Sequence, residues 1–284
     1  MNEIKAIILD VDGTLLNSEK QLLEETKKAL MKCQENGIKI ILASGRPTSG
    51  LTGLATELEL DKNDGLLVSY NGSKIMNFAT KEELFSQTIS VEDGKAVLEH
   101  MKKFKVYPMI DKDEYMYVNN AYAEDITVEG SKRAVIQREI RNGNFLVCEK
   151  LDLAEFADFE LNKILTAGEP EYLIDNHKAM MEPFKDKLNC VFTSTFYFEF
   201  TAKGVDKAKA LDTVLIPLGY TKENMIAFGD SQNDMTMIDY VGVGVAMDNA
   251  VDEVKNVANF VTASNDENGI AKALYKYIPE IFSK

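Results

Sequence analysis

The chain has 284 residues, 45% hydrophobic and 27% charged, which is an ordinary globular composition with room for two domains. Asp and Glu outnumber Lys and Arg by 46 to 32, and the net charge of −14 argues against a nucleic acid or an anionic membrane as the main partner. The sequence contains no signal-type segment, no apolar stretch of membrane-spanning length and no metal-type cysteine spacing, so we expect a cytoplasmic protein.

The first 70 residues alternate between strand and helix signals. Residues 4–9 form an apolar run interrupted by Lys5, which is typical of a strand covered on both faces. Apolar residues then recur at helical spacing over residues 22–33, and Gly37 follows as a stop signal. Strand candidates at residues 38–44 and 65–72 and a helix candidate at residues 47–58 continue the alternation. This order predicts an α/β fold with a doubly wound, parallel (Rossmann-like) sheet.

The alternation is interrupted between residues 83 and 190, where strand-like pieces mix with helix candidates at residues 92–103 and 170–184. This change predicts an inserted α+β domain. The alternation returns at FYFEFTA, where Phe196, Phe198 and Phe200 are expected on one core-facing side of a strand. Later helices are expected at residues 205–218, 232–240, 250–258 and 269–277, and later strands at residues 225–229, 241–247 and 260–262. The expected core is therefore residues 1–82 with 191–284, and the insertion is residues 83–190.

Polar residues follow the predicted strands at the edge where open α/β sheets bind their ligands. DVDGT follows the first strand, SGR the second, YNG the third, and GDSQND the strand MIAFG. Lys207 lies at the start of the helix that follows FYFEFTA. The carboxylates predicted to meet at this edge are Asp10, Asp12, Asp230 and Asp234.

Carboxylates this close repel one another by up to about 4 kcal/mol per pair at an effective dielectric of about 20, so they hold protons or a cation. Oxygen ligands without His or Cys nearby predict Mg²⁺ rather than zinc, completed by water and a substrate phosphate. Candidates for the other phosphate oxygens are Ser44, Lys207 and the backbone amides near Val11 and Gly45. Each motif alone is explained as well by a turn, a helix cap or a surface lysine. The prediction depends on their joint arrival at one edge.

In this order DVDGT, SGR, GVDK and GDSQND resemble the four motifs of the haloacid dehalogenase superfamily of phosphohydrolases. The insertion between the second and third motifs resembles the large α/β cap of the Cof-like sugar-phosphatase branch. The resemblance implies a Mg²⁺-dependent phosphatase whose partner is a small phosphorylated metabolite such as a sugar phosphate. It also implies that the inserted domain is a cap that determines substrate specificity. It does not indicate an oligomeric state.

Carried over residue by residue, the resemblance makes Asp10 the nucleophile that forms an aspartyl-phosphate and Asp12 the general acid and base. We expect neighbouring carboxylates to raise the pKa of Asp12. The implied Mg²⁺ ligands are Asp10, Asp12 through its main-chain carbonyl, Asp230 and, directly or indirectly, Asp234. The implied phosphate-binding residues are Val11, Ser44, Gly45, Lys207 and Asn233. Possible substrate contacts are Arg46 and Asn71.

Three other functions stay open at this point. A signalling receiver domain also gathers carboxylates, a hydroxyl residue and a lysine around Mg²⁺, and would accumulate phosphorylated protein without turnover. A phosphosugar mutase would use the same aspartate pair and yield an isomerised sugar phosphate rather than free phosphate. A catalytically idle metabolite-binding protein would not need the acids that the sequence retains.

Overall fold

A computed structural model of the chain describes residues 3–283. The strands in this part of the chain are β1 (Ala6–Leu9), β2 (Lys39–Ala43), β3 (Leu66–Ser69), β4 (Lys74–Asn77), β5 (Glu83–Ser86), β6 (Tyr107–Lys112), β7 (Tyr115–Val118), β8 (Ile126–Val128), β9 (Ser131–Arg133), β10 (Leu146–Glu149), β11 (Lys163–Ala167), β12 (Leu188–Ser194), β13 (Tyr197–Ala202), β14 (Met225–Gly229), β15 (Val243–Ala246) and β16 (Phe260–Val261).

The α-helices in the same part of the chain are α1 (Glu24–Glu35), α2 (Thr52–Glu57), α3 (Val91–Met101), α4 (Val135–Gly143), α5 (Leu153–Phe156), α6 (Pro170–Met181), α7 (Lys207–Leu215), α8 (Met235–Tyr240), α9 (Asp252–Val257), α10 (Gly269–Tyr277) and α11 (Pro279–Phe282). Short 3₁₀ helices lie at Thr48–Leu51, Tyr70–Gly72, Lys222–Asn224, Gln232–Asp234 and Asn265–Glu267. Among residues 3–283 there is no helix with the length and apolar character needed to span a membrane.

The chain divides into two compact units. The first contains Met1–Phe85 and Asp206–Lys284, and the second contains Ser86–Val205. The first unit is built on an eight-stranded sheet in the order β16-β15-β14-β1-β2-β3-β4-β5. The six strands from β16 to β3 are parallel, and β4 is antiparallel to β3. The predicted parallel core sheet is therefore confirmed.

Side chains of this sheet pack against helices on both faces, because successive residues of a strand point to opposite sides. In β1, Ile7 and Leu9 pack on the face that is covered by α1, α2 and α10, whereas Ile8 packs on the face that is covered by α7, α8 and α9. This is why the strands read as continuous apolar runs rather than as alternating ones. Helix α1 ends before Gly37, which adopts the positive φ of 81° that glycine tolerates at a helix end.

The second unit contains a six-stranded sheet in the order β10-β7-β6-β11-β13-β12 and a separate two-stranded sheet of β8 and β9. In the large sheet only β10 and β7 pair in parallel. One face packs against α3, α5 and α6, and the other packs against α4 and the two-stranded sheet. This mixed arrangement agrees with the expected α+β insertion.

The limits of the second unit differ from the expected residues 83–190. Strand β13 was expected to return the chain to the core at residue 191, but it pairs with β11 and β12 in the six-stranded sheet, and the first unit resumes at Asp206. The reason is that β13 is buried on both faces, so its apolar pattern is the same in either unit. Phe196 also departs from expectation: it precedes β13 and packs with Tyr197, apart from Phe198 and Phe200.

Candidate active site

The candidate site lies in the first unit at the carboxyl ends of β1, β2 and β14. Leu9, the last residue of β1, is in register with Leu42 of β2 and with Phe228 of β14. Asp10 directly follows β1, Ser44 directly follows β2, and Asp230 directly follows β14. Parallel pairing in this register therefore brings the three predicted motifs to one edge of the sheet, as the sequence indicated.

Three carboxylates meet at this edge. Oxygen atoms of Asp10, Asp230 and Asp234 all lie within 4.8 Å of one another, and Asp10 and Asp234 are buried. Burial and the charge of Asp234 raise the pKa of Asp10 well above its usual range, despite the nearby lysine. Burial also raises the pKa of Asp230, helped by the charge of Asp234. The site therefore concentrates negative charge that its own residues only partly compensate.

Lys207 supplies the positive charge at the centre of this cluster. Its ammonium group is fully buried and donates hydrogen bonds to Asp10 Oδ1 at 2.7 Å, Asp234 Oδ1 at 2.6 Å and the Ala43 carbonyl at 2.9 Å. Burial by itself opposes a charged amine, but the two carboxylates outweigh it and raise the pKa of Lys207. Asp206 caps the N-terminus of α7 by accepting a hydrogen bond from the Lys209 amide, which fixes the first turn from which Lys207 projects.

The loop after β14 holds Asp230 and Asp234 in fixed positions. Asp234 Oδ2 accepts hydrogen bonds from the backbone amides of Asp230 and Ser231, at 3.0 and 3.1 Å. Asp230 accepts hydrogen bonds from the Thr14 hydroxyl at 2.7 Å and from the Ser231 hydroxyl at 2.9 Å. Asp234 thus organises this loop and orients Lys207, while the Thr14 contact joins the first and fourth motifs.

Gly13 is required for this contact between the motifs. Its φ of 88° is in the region that favours glycine, and a Cβ added there would lie 2.6 Å from Asp230 Oδ2. The glycine of DVDGT therefore lets the chain turn away from β1 and lets the Asp230 carboxylate approach the backbone.

Asp12 is separate from the three-carboxylate cluster. Arg46 donates two hydrogen bonds to it, from Nε to Oδ2 at 2.7 Å and from Nη2 to Oδ1 at 2.8 Å. Lys20 Nζ also donates to Asp12 Oδ1 at 2.8 Å. Partial burial opposes ionisation, but Arg46 and Lys20 outweigh it and lower the pKa of Asp12 to about 2. The expectation of a raised pKa is therefore wrong for this arrangement, because cations rather than carboxylates contact the side chain.

The remaining predicted residues lie around this edge in the first unit. Ser44 is buried, and its hydroxyl accepts a hydrogen bond from the Arg46 amide at 3.2 Å. The Asn71 amide donates to the Ser44 carbonyl at 2.9 Å, and the side chains of Asn233 and Asn71 are joined at 3.0 Å. A Cβ added to Gly45 would lie 3.1 Å from the Asn71 side chain. Val11 is buried, and its carbonyl accepts a hydrogen bond from the Leu16 amide.

Four contact residues were not predicted from the sequence: Thr14, Lys20, Ser231 and Asn249. Thr14 lies in the motif DVDGT and Ser231 in the motif GDSQND, and both hydroxyls donate to Asp230. Their positions in two motifs that meet at one sheet edge could therefore have indicated these contacts. Asn249 donates to the Gly13 carbonyl at 2.8 Å. Lys20 carries no local signal, because chain folding rather than spacing brings it to Asp12. Asn249 does carry one, since it follows β15, a parallel strand of the same sheet, by three residues.

The three-carboxylate cluster fits the Mg²⁺ ion that the sequence predicts. The donors in the cluster are carboxylate oxygens, and burial together with the charge of Asp234 raises the pKa of Asp10 and of Asp230, so a bound cation would favour their ionised forms. Asp10 and Asp230 are the residues best suited to hold the ion. Asp234 already accepts hydrogen bonds at both oxygens, from Lys207 and from two backbone amides.

Comparison with known proteins identifies the family. The model of the haloacid dehalogenase-like hydrolases matches residues 7–274. The chain is a haloacid dehalogenase-like hydrolase. It is 31% identical to 5-amino-6-(5-phospho-D-ribitylamino)uracil phosphatase YcsE of Bacillus subtilis, over 97% of this chain and 96% of that protein. The family predicted from the four motifs is thus confirmed.

Solved structures of this haloacid dehalogenase-like family share the fold. A haloacid dehalogenase-like hydrolase from Bacteroides thetaiotaomicron superposes with a TM-score of 0.89 at 31% identity, covering 96% of this chain and 99% of that one. A sugar phosphatase of haloacid dehalogenase subclass IIB superposes with a TM-score of 0.75 at 24% identity, covering 96% and 98% of the two chains. The predicted fold class is confirmed in both units of the chain.

Proposed function

We propose that this haloacid dehalogenase-like hydrolase is a Mg²⁺-dependent phosphatase that cleaves small phosphorylated metabolites through an aspartyl-phosphate on Asp10. The observation that carries the proposal is the convergence of Asp10, Asp230 and Asp234, with Lys207 bonded to two of them. The enzyme class, a phosphatase of this family, is confirmed by the family match and by relatives that are phosphatases. The metal, the intermediate and the substrate class are the proposal.

Asp10 is suited to attack phosphorus because Lys207 fixes one of its oxygens. Lys207 contacts Oδ1, so Oδ2 is the oxygen that forms the new bond to phosphorus while the ester bond to the leaving alcohol breaks. Mg²⁺, when bound by Asp10 and Asp230, would neutralise the carboxylates and the phosphate oxygens. Ser44 and the amides near Val11 and Gly45 are proposed to bind the phosphoryl oxygens. Lys207 is proposed to do so by exchanging one of its three present contacts, since its ammonium has only three donors.

Asp12 is proposed to give a proton to the leaving alcohol and then to take one from the water that cleaves the aspartyl-phosphate. With Arg46 and Lys20 bound, its low pKa keeps Asp12 in the base form. The acid step therefore requires that these contacts weaken when substrate binds. Phosphate-monoester hydrolysis demands up to about 10²¹-fold acceleration, or roughly 28 kcal/mol, so no single group suffices.

The substrate is proposed to be the phosphate ester of a sugar or a sugar-like polyol. YcsE, the relative at 31% identity, is named for a substrate whose phosphate is carried on a ribityl chain. The second unit, Ser86–Val205, is proposed to act as the cap that selects the leaving group.

Release of inorganic phosphate from a panel of sugar, polyol, nucleotide and cofactor phosphates, with and without Mg²⁺, tests the proposal. Asp10→Asn is expected to abolish turnover while retaining the native circular dichroism spectrum, and Asp239→Asn, an exposed acid on α8, is the matched control. Wild-type turnover by the Asp10 variant would remove the proposed nucleophile. Phosphorylated protein without turnover would instead indicate a receiver-like acceptor, and an isomerised sugar phosphate would indicate a mutase.

A further inference from the structure

We propose that Arg133 and Arg138, in the second unit, form a binding site for a small oxyanion that carries a phosphate or carboxylate group. The chain has four arginines, and three of them lie between residues 133 and 141. Lysine supplies the positive charge nearly everywhere else. Arginine presents a planar fork of N–H donors that matches phosphate and carboxylate groups, whereas lysine serves as a solvated point charge. Residues 133–141 are therefore unusual in this chain because their positive charges come mainly from arginine.

Arg133 has an unsatisfied hydrogen-bond donor. Its Nε is buried and has no hydrogen-bond partner among residues 3–283. Arg133 is the last residue of β9, and its backbone is in register with Ile126 of β8, so the position of the side chain is fixed by a strand rather than by a loose loop. Buried donors nearly always have an acceptor. Residues 3–283 do not provide one here, so a bound oxyanion is one source of the missing acceptor.

Phe196 holds both guanidinium groups near one ring. The Cζ atoms of Arg133 and Arg138 lie 5.9 and 5.8 Å from the centroid of that ring, close to the limit of about 6 Å for cation–π attraction. The ring of Phe196 is buried and packs against Tyr197 with the ring centroids 4.5 Å apart. This contact orients the two cations without neutralising either of them.

The protein does not neutralise the two arginines with its own acids. In the described part of the chain, neither Arg133 nor Arg138 takes part in a salt bridge, although Asp and Glu total 46 in the sequence. Arg133 is partly buried and Arg138 is exposed, so a solute can reach Arg138 and the accessible part of the Arg133 side chain, but not its buried Nε without a small movement. Two oriented, unpaired guanidinium groups in an acidic protein are what an oxyanion site requires.

The small number of arginines allows a direct test. Protein labelled with ¹⁵N-arginine gives four Nε–H signals, which are assigned with single Arg→Gln variants, and it is titrated without Mg²⁺. Inorganic phosphate is the probe in one series and citrate is the probe in a second, and together they distinguish a phosphate ligand from a carboxylate ligand. We expect the Arg133 signal to shift with saturation in at least one series, and the Arg138 signal to shift with it. The Arg46 signal reports separately on the catalytic site.

Variants show whether the shift reflects binding at this pair. Arg133→Gln is expected to weaken binding of the active probe by about tenfold or more, as for loss of a charge-assisted bidentate contact. Arg133→Lys, which keeps the charge, should recover only part of the affinity. Arg141→Gln, an exposed arginine of the same segment, is the matched control and should stay within about twofold of wild type. An Arg133 signal that does not move in either series, or equal weakening by the Arg133 and Arg141 variants, would overturn the proposal.

Discussion

Replacing Asp10 with asparagine should stabilise the metal-free protein even though it removes the proposed nucleophile. Two unit charges 4.8 Å apart, the upper limit of separation among the three carboxylates, repel by about 3.5 kcal/mol at an effective dielectric of about 20. Lys207 offsets part of this repulsion, but burial adds to it, and the pKa of Asp10 remains raised. Ionised Asp10 therefore costs stability at neutral pH. We expect Asp10→Asn to raise the free energy of unfolding by about 1–3 kcal/mol without divalent cations.

Urea unfolding followed by circular dichroism at pH 7, with and without Mg²⁺, measures this effect. Mg²⁺ at about 100 times its dissociation constant should stabilise the wild type by about 2.7 kcal/mol, and Asp10→Asn should lose most of this gain. Asp239→Asn removes the same charge from an exposed site on α8 and should change neither quantity appreciably. An Asp10→Asn variant that is less stable than wild type without Mg²⁺, or that gains as much stability from Mg²⁺, would contradict the expected repulsion at Asp10.

Three further changes test other parts of the site. Lys207→Met should lower the free energy of unfolding by about 3–5 kcal/mol in urea, because it leaves buried carboxylates without their cation, and Mg²⁺ should recover part of the loss. Gly13→Ala should weaken Mg²⁺ binding measured by calorimetry, because the added Cβ would lie 2.6 Å from Asp230 Oδ2. Gly37→Ala is the control: its φ of 81° is positive as well, but the added Cβ would have no atom within 4 Å, so only backbone strain of about 1–2 kcal/mol is expected. Asp12 has a lowered pKa, so its contribution of up to about 1 kcal/mol exists above pH 4 and disappears as pH falls towards 2; Asp12→Asn should flatten that part of the stability profile.

The sequence predicted the elements that carry the site more accurately than the limits of the units. Strand β14 and helix α10 occupy the predicted residues, because each is an apolar segment with clear turn signals at its ends. Because these strands are parallel, their carboxyl ends lie at the same edge of the sheet, and this brings Asp10, Ser44 and Asp230 together. Strand β13 was assigned to the first unit because it is buried on both faces, as the strands of that unit are. The residues of a strand do not by themselves indicate which sheet the strand joins.

Contacts between charged side chains were the least predictable part of the site. The convergence of Asp10, Asp230 and Asp234 could be inferred because each follows a strand of one parallel sheet. Lys20 lies in none of the motifs, and its contact with Asp12 depends on the path of the loop between β1 and α1. The order of parallel strands determines which backbones meet at a sheet edge, but it does not determine which charged partner a long side chain contacts there.

The pKa of Asp12 follows from the path of the chain after β1. Asp10 and Asp12 are two residues apart, yet β1 ends at Leu9 and the chain turns at Gly13, so the two carboxylates have different neighbours. Asp10 contacts Lys207 inside the cluster, whereas Asp12 contacts Arg46 of the SGR motif. An Asp12 side chain held by Arg46 is a carboxylate and cannot protonate an alcohol. For Asp12 to act as the general acid, the leaving group or its phosphate must first draw Arg46 and Lys20 away, and these two cations then couple substrate binding to proton transfer.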